Sequence, residues 1–334
     1  MLLIVLSMNF TAPSAPSQAE LYLPEDTENF ADGLLHILKT ALSQISPDLT
    51  NAAQICLSLV AIVLLISLLL SFSGVTKTTT QLVGTLLVSI LLVKSSQTLI
   101  SLGVETIQTM SEYGKLLLPV MAAALAAQGG TASSTVLYAG TAVFNTLLTS
   151  VLSKIMIPAV YIFIAVCIAN SVMKQEMLTN IVKFIKWVMT WIMKIILYVF
   201  TGYISITGVI SGTVDAAALK ATKITISGAV PIVGSIISDA SETILVSAGL
   251  VKNSVGIYGL FVILSLWIGP FLRIAVQYLL LKLTGAVCSV FGKHSTLDLI
   301  HDFTAVMGFL LAATGIMCLL LLITTVCFMR GVSV

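Results

Sequence analysis

The chain has 334 residues, of which 58% are hydrophobic and only 9% charged, with a mean hydropathy of +1.09 and a formal net charge of +2. Soluble proteins carry roughly 25% charged residues, so this chain has too few charged groups to cover its own surface, and much of that surface must face lipid. The small net charge gives no basis for nucleic-acid binding.

The first residues, MLLIVLSMNFTAPSAPSQA (1–19), are predicted to be a signal peptide that is cut near Ala19. A short apolar core precedes small residues in an A-x-A-like arrangement, although the usual basic residues are missing. Residues 20–52 then hold six acidic residues against one lysine. Apolar residues at helical spacing predict a short amphipathic helix there: Phe30, Leu34, Ile37, Ala41 and Ile45. After cleavage, this acidic segment is expected to lie outside the cytoplasm.

Residues 53–334 are predicted to form an all-α, polytopic membrane domain. A helix needs about 20 apolar residues to cross a bilayer core, and about six stretches meet this condition: 54–73, 82–101, 155–173, 187–210, 256–281 and 303–328. The stretches 116–152 and 224–250 are broken by Pro, Gly and Ser, so each is predicted to be a re-entrant hairpin or a pair of short spans. Lys174, Lys183 and Lys186 form the densest basic stretch and are therefore placed in the cytoplasm. When the spans are counted from this point, both hairpins begin and end outside the cytoplasm.

Prolines mark both hairpins and the spans that follow them. Pro119 and Pro158 are 39 residues apart, as are Pro231 and Pro270. An offset of 112 residues superimposes the two pairs, which predicts an internal duplication of 76–170 and 188–282, with 303–328 as an extra span. Transporters are often built from such repeats, with broken helices at the binding site. The four prolines are therefore assigned to hairpin starts or helix breaks.

Polar residues enter the membrane domain as a stripe that begins inside the span at 82–101. Their alternating spacing of four and three places them on one helix face: Lys94, Thr98, Ser101, Glu105, Gln108, Glu112 and Lys115. A lysine at the centre of a span costs roughly 2.5–3.5 kcal/mol. The stripe is therefore predicted to face other helices, a partner subunit or a water-filled cavity. For Lys94 alone, extension of its long side chain to the lipid headgroups is an equal alternative.

A second, weaker stripe has the same spacing in the other half: Thr201, Ser205, Gly208, Gly212 and Asp215. Gly208 and Gly212 form a GxxxG pair, which favours close helix packing. Pro231 is placed to start a helix in a small-residue stretch that also carries Lys220, Lys223, Asp239 and Glu242. Polar hairpins are tolerated at membrane depth only inside protein or along a cavity. These charged residues, with Lys94, Glu105 and Glu112, are therefore candidates for path-lining or buried positions, and an interfacial packing hairpin is the alternative.

The chain has none of the motifs of common enzyme classes: Walker A, G-x-G-x-x-G after a strand, H-E-x-x-H or G-x-S-x-G. We therefore expect no enzymatic activity, no cofactor and no catalytic or metal-binding residues. In KHSTLDLIHD, Ser295 and Asp298 fit a helix cap, which is preferred to a metal site with His294, His301 and Asp302. The five cysteines lie in or near apolar runs without a CxxC pair and are predicted to be core residues.

The stretch GVISGTVDAAALKATKITISGAVPIVGSIISDASETILVSAGLVKNSVG (208–256) closely resembles the stage III sporulation protein AE family of endospore-forming bacteria. The resemblance runs from about residue 20 to the end of the chain. It implies a mother-cell protein in the membrane around the forespore, within a complex that links the two cells. An ATPase, ring-forming proteins and a forespore membrane protein are the implied partners. No catalytic residues are carried over.

Two roles are open within such a complex. In the first, the chain is the channel- or permease-like subunit, and the polar stripes and hairpins line the path. In the second, it is a membrane scaffold without transport, which positions its partners through the acidic segment 20–52 and the two outside hairpins. A homo-oligomer with a pore between protomers is a further alternative, because GxxxG and the small-residue hairpins suit close packing between copies.

Overall fold

The computed structural model describes residues 12–24, 30–72, 77–127, 131–173, 175–199, 201–202, 234–291 and 295–330. Every regular element in these ranges is a helix. The helices are α1 (Ser17–Glu20), α2 (Phe30–Gln44), α3 (Ser46–Phe72), α4 (Lys77–Ala127), α5 (Thr131–Val151), α6 (Ile157–Met173), α7 (176–199), α8 (Gly234–Ser289) and α9 (Ser295–Arg330).

Five stretches of the described chain are long and apolar enough to cross a membrane: Ser46–Ser71, Thr79–Ala127, Ser134–Met173, Asn253–Ser289 and Thr296–Met329. They overlap five of the predicted spans. The all-helical class is confirmed for the described residues, and these five helices support the predicted membrane class. The span predicted at 187–210 is described only in part, and the count of about six spans stays a prediction. Four of the five cysteines are buried and Cys327 is partly buried, and all five are free thiols, as expected of core residues.

The predicted hairpin at 116–152 is built from extensions of the neighbouring spans. α4 runs without a break from Lys77 to Ala127 and so joins the span at 82–101 to the first arm. The second arm, α5, continues through a π-helical turn, Leu152–Met156, into α6. In the second half, α8 likewise joins 234–250 to the span at 256–281. α4 ends at Ala127 and α5 begins at Thr131, whereas the residues equivalent to 128–130 in the second half, 240–242, lie inside α8. The duplication therefore remains a prediction.

Two of the prolines assigned to helix breaks lie inside continuous helices. Pro119 is within α4 and Pro270 is within α8. Each costs one backbone hydrogen bond, and buried neighbours such as Leu117 and Met121 around Pro119 hold the helix in place. Pro158 is the second residue of α6, directly after the π-helical turn, in which the Ile157 N–H donates to the Leu152 carbonyl. Because α5 runs through this turn into α6, Pro158 lies at an irregular turn of a continuous helix, and its missing N–H costs one backbone hydrogen bond there.

The two longest helices exceed the thickness of a bilayer. α4 has 51 residues, which is about 75 Å of helix at a rise of about 1.5 Å per residue. A bilayer with its headgroup regions is about 40–45 Å thick, and membrane helices tilt by at most about 40°. α8 is longer still, at 56 residues. Both helices therefore extend beyond the lipid.

Two contacts show that α3 runs parallel to the second half of α8. The Asp48 Oδ2 and Arg273 Nε atoms are 2.9 Å apart. Near the other end, the Ser67 hydroxyl donates to the Phe291 carbonyl at 2.9 Å. The preceding part of α8, residues 257–272, lies beside α2 instead.

The amphipathic helix expected in the segment 20–52 is α2, which packs directly on the membrane domain. Ile37 and Ala41 are buried against Phe261 and Ile268 of α8. Phe30 stacks on Phe261 with ring centroids 5.3 Å apart. A Cβ atom at Gly33 would lie 2.4 Å from the Phe261 ring, so only glycine fits this close approach. Since α3 begins at Ser46, the predicted boundary at residue 52 falls inside a helix.

Residues 12–24 also pack on the bundle. Ala19, next to the predicted cleavage site, is fully buried, and Tyr22 is nearly so. A Cβ atom at Gly269 of α8 would lie 2.7 Å from the Tyr22 hydroxyl. Residues 1–11 lie outside the described part of the chain, and the signal peptide and the extracytoplasmic position of the segment stay predictions.

Candidate functional site

The polar stripe forms one exposed face of α4. All seven of its side chains are exposed: Lys94, Thr98, Ser101, Glu105, Gln108, Glu112 and Lys115. The opposite face of α4 is buried in the core through residues such as Ile100, Ile107 and Met110. Within the described residues the stripe therefore stays exposed along its length, with Gln18 of α1 in contact at Glu105.

The same face of α4 is apolar nearer its start. Val83, Leu87 and Ile90 continue the spacing of the stripe, and their exposed fractions are 53%, 48% and 64%. The face therefore changes from aliphatic to polar between Ile90 and Lys94. We call the whole set of residues, from Val83 to Lys115, the α4 face. Its two ends suit different surroundings.

Side-chain hydrogen bonds hold α5 against α4 beside the stripe. The Asn145 amide donates to the Ser111 carbonyl at 3.2 Å, and the Thr149 hydroxyl donates to the Ser111 hydroxyl at 2.8 Å. Both Asn145 and Ser111 are nearly fully buried. Hydrogen bonds between helices act as attachment points in membrane bundles, where apolar surfaces alone give little specificity. They fix the α4–α5 hairpin in one register.

Replacing Asn145 with alanine should loosen this hairpin. We expect the free energy of unfolding in detergent to fall by about 0.6–1.7 kcal/mol, the range measured for hydrogen bonds between membrane helices. Thr146→Ala is the matched control, since Thr146 is exposed and donates only to the Ala142 carbonyl of its own helix. Equal thermal shifts for the two variants would show that the Asn145 contact does not hold the hairpin.

The outer face of α5 differs sharply from that of α4. α5 contains no charged residue, and its exposed side chains include Tyr138, Val143 and Leu147. Because Asn145 bonds to Ser111, Val143 and Leu147 lie at about the same height in the bundle as Gln108 and Glu112. The hairpin therefore presents charge on one arm and aliphatic surface on the other.

Glu105 is the point where the N-terminal segment meets the stripe. The Gln18 amide donates to Glu105 Oε1 at 2.7 Å, and both side chains are exposed. Near this position the opposite side of α4 contacts α8 and α9, since Gly103 lies against Ile274 and Leu310. The N-terminal segment thus reaches the α4 face in the middle of its polar part.

Several of the predicted site residues cannot be placed against this face. Gly208, Gly212, Asp215, Lys220, Lys223 and Pro231 lie outside the described residues. The backbone of Asp239 and Glu242 lies within α8, but their side chains are outside the described part of the structure. The second stripe and its charged hairpin therefore stay predictions. Of the candidates, Lys94, Glu105 and Glu112 are brought together on one face.

The acidic and histidine residues of α9 are not arranged as a metal site. Within the described ranges, no group of three or more His, Cys, Asp or Glu side chains could hold a metal ion. Asp302 instead accepts a hydrogen bond from Cys167 and lies near Lys186. Asp302 of α9 therefore contacts Cys167 of α6 and lies close to Lys186 of α7. His294 lies outside the described part.

Sequence reasoning missed the buried polar contacts behind the stripe. Asn145, Ser111 and Thr149 were not among the predicted site residues. The signal was present, since Thr141, Asn145 and Thr149 recur every four residues in α5 and so share one face. Tyr113 Oη, Asn145 Oδ1 and Thr324 Oγ1 are also buried, with no hydrogen-bond partner in the described structure.

Comparison with known proteins identifies the family. The family described as Stage III sporulation protein AE matches residues 24–331. The chain belongs to the stage III sporulation protein AE family. A member of this family from Bacillus subtilis (strain 168) is 22% identical over 231 residues, which cover 69% of this chain and 58% of that protein. The match thus spans less than two thirds of the relative's length. No solved structure matches the chain.

The stage III sporulation protein AE match contains the whole α4 face. It also contains α2, the α4–α5 hairpin and the undescribed second stripe. It begins at residue 24, after Gln18 and Tyr22. The polar and apolar parts of α4 therefore lie within the region that matches the family, whereas Gln18, which contacts Glu105, lies before that region.

Proposed function

We propose that this chain is the polytopic, channel- or permease-like subunit of a complex that connects mother cell and forespore during endospore formation. Membership of a sporulation family and five membrane-length helices support a sporulation-related membrane protein. The proposal places the chain in the mother-cell membrane around the forespore, with its N-terminus outside the cytoplasm. An ATPase, ring-forming subunits and a forespore membrane protein are its proposed partners. We propose no catalytic role and no cofactor.

One observation carries the transport role: the two arms of the α4–α5 hairpin present opposite surfaces at the same height. Val143 of α5 is 66% exposed and suits lipid, whereas the exposed Glu105, Gln108 and Glu112 of α4 do not. Charged residues at membrane depth face protein or a water-filled cavity because lipid exposure costs several kcal/mol. An aqueous path along α4, with lipid along α5, gives the charged side chains of one arm water and the apolar side chains of the other arm hydrocarbon.

Cysteine labelling tests this arrangement. In a variant without the five native cysteines, single cysteines at Thr98 and Gln108 should react with a membrane-impermeant, water-soluble maleimide. A cysteine at Val143 should not react with this reagent, and should react only slowly with a lipid-soluble maleimide, because the thiolate is the nucleophile and a thiol in hydrocarbon is rarely ionised. Met110, which is fully buried, supplies a control that should react with neither reagent. Failure of the water-soluble reagent at both Thr98 and Gln108 would overturn the aqueous path.

The alternative role, a membrane scaffold without transport, is favoured by a second exposed surface. α2 buries one face on α8, yet Leu35 and Leu42 on its other side are 62% and 60% exposed. Leucines presented in this way suit a protein partner. Deleting residues 22–46 would also uncover Phe261, so point variants are the sharper test. If Leu35→Ser/Leu42→Ser blocks assembly of the complex while charge changes on the α4 face leave spore formation intact, the scaffold is the correct role.

A further inference from the structure

We propose that one face of α7 is a binding site for a phospholipid with an anionic headgroup. The face, which we call the α7 face, consists of three aromatic residues and two lysines: Lys183, Phe184, Trp187, Trp191 and Lys194. All five side chains are exposed in the described structure, whereas the opposite side of α7 is buried in the core through Met189 and Met193. The inference concerns lipid contact and does not depend on the proposed transport role.

The three aromatic rings contact one another along the outside of the helix. The Phe184 and Trp187 ring centroids are 6.2 Å apart, and the Trp187 and Trp191 centroids are 6.0 Å apart. Aromatic pairs at such distances attract each other, so the rings form one continuous apolar surface. α7 carries the first part of the span predicted at 187–210, and tryptophan is enriched where acyl chains meet headgroups. The ring surface therefore suits the upper part of an acyl chain.

The charge of α7 selects an anionic partner. Residues 177–199 include three lysines and no aspartate or glutamate. Lys194 Nζ lies 5.8 Å from the centroid of the Trp191 ring, so the Lys194 side chain extends back toward the end of α7 that carries Lys183. Lysine side chains in helices generally point in this direction. Clustered lysines at the end of a span are typical of sites for anionic lipid headgroups.

The outer face of α5 shows how a surface for hydrocarbon alone differs from the α7 face. Val143 and Leu147 are exposed there, and α5 has no charged residue, so it accepts the acyl chains of any phospholipid. The α7 face adds two lysines that can pair with a phosphate, so it distinguishes lipids by headgroup charge. Lys186 is not counted in this face because nearby Asp302 offsets its charge.

Quenching of tryptophan fluorescence in liposomes tests the inference. The chain has three tryptophans, and in the full-length Trp267→Phe variant only those of the α7 face emit. This variant is placed in mixtures of phosphatidylcholine and phosphatidylglycerol in which one lipid or the other carries brominated acyl chains. A lysine near the membrane surface strengthens the binding of an anionic lipid by about fivefold. Two lysines should therefore give brominated phosphatidylglycerol an advantage of about 25-fold in relative binding.

Two further variants in the Trp267→Phe background identify the lysines responsible. Lys183→Gln with Lys194→Gln should bring the preference close to one, because both ammonium groups of the α7 face are removed. Lys282→Gln is the matched control, since Lys282 is also exposed and its Nζ lies 5.7 Å from the centroid of the Tyr278 ring. This variant removes the same kind of lysine–ring pair from α8 and should keep the full preference.

Three outcomes would overturn the proposal. Equal quenching by the two brominated lipids would mean that α7 does not distinguish headgroup charge. An undiminished preference in Lys183→Gln/Lys194→Gln, or an equal loss in Lys282→Gln, would mean that the lysines of the α7 face do not form the site. Absence of quenching by either lipid would mean that protein covers the rings. None of these outcomes changes the maleimide labelling of Thr98 and Gln108 positions, which tests the transport role separately.

Discussion

Replacing Phe261 with alanine should lower the free energy of unfolding by about 3–5 kcal/mol, the usual cost of truncating a fully buried aromatic side chain. Phe261 is fully buried, its ring stacks on Phe30, and Gly33 lies directly against it. Removal of the ring leaves a cavity under α2 and detaches that helix. The measurement is unfolding in mixed detergent micelles, with limited proteolysis of residues 30–44 as the local readout.

Leu35→Ala is the control for this prediction. Leu35 belongs to the same helix but is 62% exposed, so its truncation should change the free energy of unfolding by no more than about 0.5 kcal/mol. Proteolysis of α2 should increase in Phe261→Ala alone. If the two variants have the same free energy of unfolding, Phe261 does not anchor α2 to α8.

Reversing both glutamates of the α4 face, Glu105→Lys with Glu112→Lys, should abolish heat-resistant spores while the protein still inserts into the membrane. The change turns a face with two charges of each sign into one with four positive charges. Charged clefts alter local ion concentrations by roughly 10–10³-fold. We therefore expect the preference between cations and anions, measured with purified protein in liposomes, to shift by at least about tenfold.

A matched double variant separates this effect from a general change in charge. Glu176→Lys with Asp298→Lys also reverses two exposed acidic residues, but these lie at the starts of α7 and α9 and not on α4. Spore formation should remain normal. The amount and thermal midpoint of both proteins in membranes should match the parent chain. Normal spore formation with Glu105→Lys/Glu112→Lys would exclude a path along α4 and leave the scaffold role.

Periodicity in the sequence was enough to find both surfaces that matter most. The spacing of Ile37 and Ala41 identified the side of α2 that packs on α8, because apolar side chains on one helical face bury together. The alternating spacing of Lys94 to Lys115 identified the stripe as a single face. What periodicity does not contain is the identity of the neighbour. Within the described residues the stripe stays exposed, and the contact behind it depends on Asn145 of another helix.

The continuity of α4 and α8 could not be derived from local propensity. Proline costs about 3 kcal/mol inside a helix, so a break at Pro119 or Pro270 was the natural expectation. In α4 the local cost is outweighed by tertiary packing, since Leu117, Leu118 and Met121 are all buried around Pro119. Long-range contacts of this kind are absent from a sequence window. For the same reason, the predicted hairpin appeared as a separate element, whereas its arms continue the adjoining spans.

Because α4 is unbroken from Lys77 to Ala127, a rotation at one position of the helix is transmitted to the others. Because Ile90 and Glu112 belong to the same helix, neither can turn without the other. A rotation by one residue position, about 100°, would carry the aliphatic residues Val83, Leu87 and Ile90 and the charged stripe away from their surroundings together. A partner chain that turned the helix near Lys115 would therefore also turn Ile90.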